Sequence, residues 1–268
     1  MRGRDSRRWA SAGATLLAAL ACAVALGAGP AGAQYPGEAP LPNPCLGADA
    51  PELRCPDLQM AKPSELFVSR GHGRVLLHAT NKLKSLGRGP VEVRGHRIAR
   101  RQMAVKQVIH TRDGGRRRYA TNGLLVFYPI PGQGRYWKFH EAARFELWTI
   151  GAGGTRERMV RQGPKLNYCL RDLEHVHRSA RSPHHRVYPG CSQNPRQRAR
   201  TLGTSVGWAD VYPSSYHENW IDVKGLRGCF AFVHRADPDG YLFESNEHNN
   251  ANSRKVLLPP RHCRVRSC

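Results

Sequence analysis

Between residues 74 and 128 the chain alternates apolar and polar positions in short runs. Arg74–Ala79 (RVLLHA) and Val91–Ile98 (VEVRGHRI) read as strands, joined by turn residues at Gly87–Pro90. Val105–Ile109, Arg118–Ala120 and Leu124–Tyr128 continue the pattern, and Phe139–Ile150 ends in alternation at Phe145, Leu147 and Thr149. Trp220–Val223, Cys229–His234, Tyr241–Phe243 and Val256–Leu258 are further predicted strands, with Asp237–Gly240 (DPDG) as a tight turn. Residues 151–154 (GAGG) read as another turn. Residues 173–200 read as loop, being basic, His-rich and interrupted by Pro183, Pro189 and Pro195. Many short strands separated by Gly and Pro predict a mainly β fold, a β-sandwich core with long loops and few helices.

The N-terminus follows a different pattern. Arg2, Arg4, Arg7 and Arg8 precede an apolar run from Trp9 to Leu26, and Ala31-Gly32-Ala33 fits a small-residue cleavage site. Residues 1–33 are therefore expected to be an export signal, with an uncleaved anchor as the other reading. Residues 34–54, rich in Pro, Gly and Ala, read as a flexible leader. Residues 55–268 form the expected domain, opening with CPDLQMAK and closing with a short basic tail that contains Cys. No later stretch is long and apolar enough to cross a bilayer. The expected location is secreted, extracellular or associated with the cell wall. That compartment is oxidising and favours disulfides. Cys45 with Cys55, Cys169 with Cys191, and Cys263 with Cys268 are the sequence-local pairings, although spacing alone fixes no connectivity. Removing Cys22 with the signal leaves an odd number of cysteines.

Charge adds a second theme. The formal net charge of the 268 residues is +22, and removing the signal takes away little of it. Such a surface attracts polyanions, which outside a cell are anionic wall polymers, lipid headgroups or free nucleic acid. A solvated Arg-rich surface is the other reading. No motif points to specific nucleic-acid recognition, and GxSxG, HExxH and a Gly-rich phosphate loop in its required context are absent.

Three segments carry candidate chemistry. KLNYCLRD (Lys165–Asp172) precedes GTSVGWADVYPSSYHENWID (Gly203–Asp222), which precedes ESNEHNN (Glu244–Asn250). In this order they resemble the catalytic domain of the lysyl oxidases, including shorter secreted bacterial members, over roughly Cys55 to Leu258. The resemblance implies copper- and quinone-dependent oxidative deamination of protein lysines or small primary amines to aldehydes. It also implies that Lys165 and Tyr212 are the precursors of a lysine tyrosylquinone. Residue chemistry suits those roles: a phenol can be oxidised to a quinone, a lysine amine can add to the ring, and the carbonyl then condenses with a substrate amine. Asp210 and Asp222 are candidate bases.

The same resemblance implies copper held by an H-x-H-x-H strand, whose alternation puts three imidazoles on one face. Anchored on Trp137, Arg144, Phe145, Glu146 and Leu147, the three ligand positions here fall on Gly134, Tyr136 and Lys138, with His140 two residues further on. A single imidazole makes no tight copper site, and a Lys138 ammonium repels a cation. Glu174, His175, His177, His184 and His185 form another candidate cluster, more simply read as a solvated loop. Finally, the resemblance implies a calcium site from Asp57, the Leu58 carbonyl, Glu244, Asn246, Asn249 and Asn250, all oxygen donors as calcium prefers. Asn246 stands where the family has Asp. An Asx-rich turn bonding its own backbone is the other reading of that segment. The chain is thus expected to be a lysyl oxidase-like protein with doubtful catalysis, or a non-catalytic basic module binding cell-envelope polyanions.

Overall fold

The computed structural model describes residues 41–261 and 264–268. The expected export signal, the start of the leader, Cys22 and Cys263 lie outside them. In chain order the strands are β1 (Leu53–Arg54), β2 (Leu58–Met60), β3 (Ser64–Gly71), β4 (Arg74–Ser85), β5 (Val91–Ala99), β6 (Gln102–Thr111), β7 (Arg116–Ile130) and β8 (Gly134–Ile150). They continue as β9 (Arg156–Tyr168), β10 (Glu174–His175), β11 (Ala199–Thr204), β12 (Trp208–Tyr212), β13 (Trp220–Asp222), β14 (Gly228–Ala236), β15 (Ala251–Arg261) and β16 (Arg264–Arg266).

These strands build two antiparallel sheets. The larger runs β11-β5-β6-β7-β8-β14-β15-β16, with β1 on β6 and β9 on β8; the smaller runs β10-β12-β4-β13, with β2 and β3 on β4. A single apolar cluster draws on both, including Leu58, Leu77, Leu83, Met103, Trp137, Phe139, Phe145, Leu147, Tyr212, Ile221 and Phe232. Burying each such side chain contributes about 1.5–3 kcal/mol. The fold is mainly β, as the alternation predicts.

Several segments differ from expectation. Arg118–Ala120 and Leu124–Tyr128 belong to one strand, β7, whose register against β6 shifts between Ala104 and Lys106. Gly123 lies in the irregular stretch, where a Cβ would come within 2.9 Å of the Phe139 ring, so the close approach requires glycine. Tyr241–Phe243 is not a strand. Its amides bond side chains instead: Tyr241 and Leu242 donate to Asp237 at 3.0 and 2.8 Å, and Phe243 donates to Gln107 at 2.7 Å. Residues 43–54 are also not a free leader. Cys45 bridges Cys55, β1 pairs β6, and the Asn43 amide donates to the Glu244 carbonyl at 3.0 Å. Cys169 bridges Cys191 as the local spacing suggests, whereas Cys268 bridges Cys229 on β14 rather than Cys263. The reason is topological: β15 and β16 carry the tail back alongside β14.

Candidate functional site

Tyr212 ends β12 in the core between the sheets. Its ring stacks on Tyr168 with centroids 4.1 Å apart and planes 13° from parallel, and meets Tyr216 edge-on at 4.9 Å. Its hydroxyl accepts the Cys169 N–H at 2.8 Å. Burial holds both stacked phenols well above their ordinary range. Asp210, two residues earlier and on the same face of β12, is fully buried. Neither of its oxygens has a hydrogen-bond partner among the described residues, and the nearest cation is the Arg171 guanidinium at 3.6 Å. Burial raises its carboxyl to about 7.

The cation facing Tyr212 comes from β8. Lys138 is 1% exposed; its amine lies 5.3 Å from the Tyr212 ring centroid and 4.9 Å from that of Tyr216. It donates to the Asn167 carbonyl at 2.9 Å and to the Tyr216 hydroxyl. Burial lowers this amine to about 8, against the pull of Glu218 and Asp210. Glu218 in turn accepts the Tyr128 hydroxyl. Lys165, on β9, points elsewhere. Its half-exposed amine donates to Glu141 at 2.6 Å, and Lys165 and Tyr212 share neither a hydrogen bond nor a ring contact. Asp222 caps a turn, accepting the Lys224 N–H at 2.9 Å.

A second cluster forms where the 237–250 segment meets the start of β2. Asp237, Glu244 and Glu247 each place a carboxylate oxygen within 4.8 Å of the others. Glu244 is wholly buried, accepts the Leu58 N–H, and accepts from the Asn250 amide at 2.8 Å. The Asn249 amide donates to Asp57 at 2.9 Å. Asn249 and Asn250 each leave a buried side-chain oxygen without a partner. Burial, with mutual repulsion added, pushes Glu244 well above the usual carboxylate range, Glu247 upward, and Asp237 to about 7.

Residues 131–268 match the family model described as lysyl oxidase. The chain belongs to the lysyl oxidase family. The matched span is just over half of the sequence and contains both clusters except Asp57, Leu58 and the Glu218 partner Tyr128. No curated protein matches the chain.

Lysyl oxidases generally use copper and a quinone made from a lysine and a tyrosine. The donor set on β8 does not fit copper. Gly134 is exposed with a φ of 95°, Tyr136 offers a phenol, and Lys138 offers an amine already donating to two oxygens. His140 is tied to Asn167 at 2.8 Å and Glu141 at 2.9 Å. Among the described residues Glu174, His175, His177, His184 and His185 do not gather into a group that could hold a metal: Glu174 and His175 form the short strand β10, where Glu174 pairs with Lys82 at 2.7 Å and His175 stacks on Trp208 at 4.7 Å. The donor set of the second cluster does fit calcium, a hard cation that takes six to eight oxygens. It holds three carboxylates and two unpartnered amide oxygens. Of the six residues expected there, Asp57, Glu244, Asn249 and Asn250 are brought together and Leu58 meets Glu244 through its N–H rather than the expected carbonyl, while Asn246 is exposed and accepts the His248 N–H at 3.0 Å. Asp237 and Glu247 were missed by sequence reasoning. The DPDG signal marked Asp237 only as a turn, and Glu247 lies one position after Asn246.

Proposed function

We propose that this chain is an exported lysyl oxidase-family protein that does not carry out copper- and quinone-dependent amine oxidation, and that its basic fold serves as a binding module for anionic polymers of the cell envelope. The observation that carries this reading is Lys138. A buried amine faces Tyr212 from a position that resembles a copper-ligand position of the family. A cation there opposes metal binding, and the other two positions, Gly134 and Tyr136, supply no imidazole. The strong positive charge supports the second half: it repels Lys-rich substrates and attracts polyanions. Calcium is proposed as a structural staple held by Asp237, Glu244, Glu247, Asn249 and Asn250, with Asp57 beside them. It would join the segment after β14 to the start of β2 and takes no part in catalysis.

The test is amine-dependent hydrogen peroxide release by the mature protein after copper loading, alongside a redox-cycling quinone stain. The expected result is neither. Peroxide release, staining, or a peptide mass joining Lys165 to Tyr212 would overturn the reading. In that case Tyr212→Phe must abolish the stain, since a phenyl ring cannot be oxidised to the same quinone.

A further inference from the structure

A concentration of guanidinium charge lies away from both clusters. A cavity of about 650 Å³ is lined by Arg54, Arg88, Arg112 and Arg181. It shares Arg54, Arg88 and Arg181 with a second cavity of about 380 Å³ that adds Arg116 and His110. Five guanidiniums therefore face one groove. Among the described residues none of the five is in an ion pair. The acids nearby are already committed. Glu92 is held by His110 at 3.1 Å and the Tyr188 hydroxyl at 2.7 Å, Asp113 by the Thr111 hydroxyl, and Asp49 and Glu52 by Arg117.

The backbone under three of these arginines, Arg54, Arg88 and Arg112, is held in place. Arg54 precedes the bridged Cys55. The Arg88 N–H donates to the Cys55 carbonyl at 2.9 Å, and a Cβ on Gly89 would meet the Arg54 carbonyl at 2.0 Å. Only glycine lets this turn lie against β1, and that contact sets Arg88 beside Arg54. The Arg112 N–H donates to the Glu52 carbonyl at 2.9 Å, and its carbonyl accepts the Arg54 guanidinium at 3.2 Å. Holding five like charges on a rigid frame costs repulsion that an anion relieves. Guanidinium forks pair bidentately with phosphate oxygens, which accept from several sides.

We infer that this groove binds a phosphate polymer that carries no aromatic bases. The inference rests on the polyanion reading above and assigns it a place and a ligand class. The ring contributed by Tyr188 is tied down rather than offered to a nucleobase: its hydroxyl is bound to Glu92, and its Cδ1–Cε1 side lies against Gly203, where a Cβ would meet it at 2.8 Å. Val187, 56% exposed at the rim, offers apolar contact for uncharged links between phosphates.

The test is binding of the full mature chain to poly(glycerol phosphate), to inorganic polyphosphate and to single-stranded DNA of equal charge, at low and high salt. Arg88→Glu with Arg181→Glu reverses two exposed groove charges. Arg158→Glu with Arg161→Glu makes the same change in net charge on β9. The groove pair should weaken binding to both phosphate polymers by about tenfold or more, and the β9 pair much less. Melting curves of both double variants, matched to wild type, separate lost binding from lost folding. If wild type binds but both pairs weaken it equally, the groove assignment fails while the general polyanion reading stands. If wild type binds neither polymer at low salt, both fail. Preference for the DNA overturns the ligand class. Of the two phosphate polymers, the tighter binder identifies the source of the phosphates.

Discussion

Under the proposed reading, the two clusters that carry the family resemblance depart from it in opposite ways. The Glu244 corner departs from the family pattern at Asn246, yet it gathers three carboxylates and two free amide oxygens. The β8 strand departs at all three ligand positions, and a buried lysine stands at the last of them. The contrast follows from ligand chemistry. An oxygen-donor site for a hard cation draws on any nearby carboxylate or amide, so in the proposed calcium site Asp237 and Glu247 would offset the charge lost at Asn246. A copper site needs imidazoles set by strand alternation, and nothing adjacent replaces three of them. Backbone geometry adds to the difference. Asp237 caps the amides of Tyr241 and Leu242 and Gln107 holds Phe243, so the carboxylate corner is fixed by the same bonds that stop it becoming a strand.

The largest effect expected from this comparison is thermal. Calcium at a hundredfold excess over its dissociation constant should stabilise the fold by about 2.7 kcal/mol. For a domain of this size that raises Tm by roughly 5–10 °C. Glu244→Gln should abolish the gain. A melting temperature indifferent to calcium and to chelator, with no calcium found by elemental analysis, would remove the staple from the comparison.

How legible these regions were in the sequence depends on where backbone hydrogen bonds go. The strands that read clearly put their apolar positions into the core: Val91–Ala99 buries Val91 and Val93, and Gly228–Ala236 buries Phe230 to Val233 and Ala236. The first ten residues of β9 are almost all exposed, so its edge position leaves no apolar alternation to read. Most of β12 is buried without a break, which hides its period. Tyr241–Phe243 misled for the reverse reason: it has strand-forming residues, but side chains take its amides. Within the site, the resemblance of Lys165, Tyr212 and Glu244 was legible from spacing. The place of Lys138 over Tyr212 was not, because it depends on how β8 of one sheet packs against β12 of the other.

The second effect is on the alkaline side. The Lys138 amine is lowered to about 8 when folded and returns to its ordinary range, near 10.5, when unfolded. Between those values the unfolded chain holds a proton that the folded chain has shed, so stability from this group rises with pH. The slope is at most about 1.4 kcal/mol per pH unit. Lys138→Met lacks that term, while the raised tyrosines are common to both proteins. Urea unfolding of the two at stepped pH from 8 to 10 should show wild type gaining on the variant. Parallel curves would mean that the amine is not buried against Tyr212.

The smallest effect is expected at Lys165, the residue on which the family resemblance leans most. Its amine is half exposed and paired with Glu141. Glu141 is buried but the lysine end of the pair is open to solvent, and solvent-screened pairs contribute about 0.2–1 kcal/mol. Glu141 keeps a second partner in His140 at 2.9 Å, so removing the lysine leaves no buried charge alone. Lys165→Met should therefore lower stability by well under 1 kcal/mol, with added salt shrinking the difference further. It should change neither visible absorption nor quinone staining. The same substitution separates the two accounts of this chain cleanly, because a quinone precursor cannot be replaced by methionine without losing the cofactor. A stain present in wild type and absent in Lys165→Met would place Lys165 against Tyr212 in the mature protein. The divergence of the two clusters would then be one of metal ligands alone.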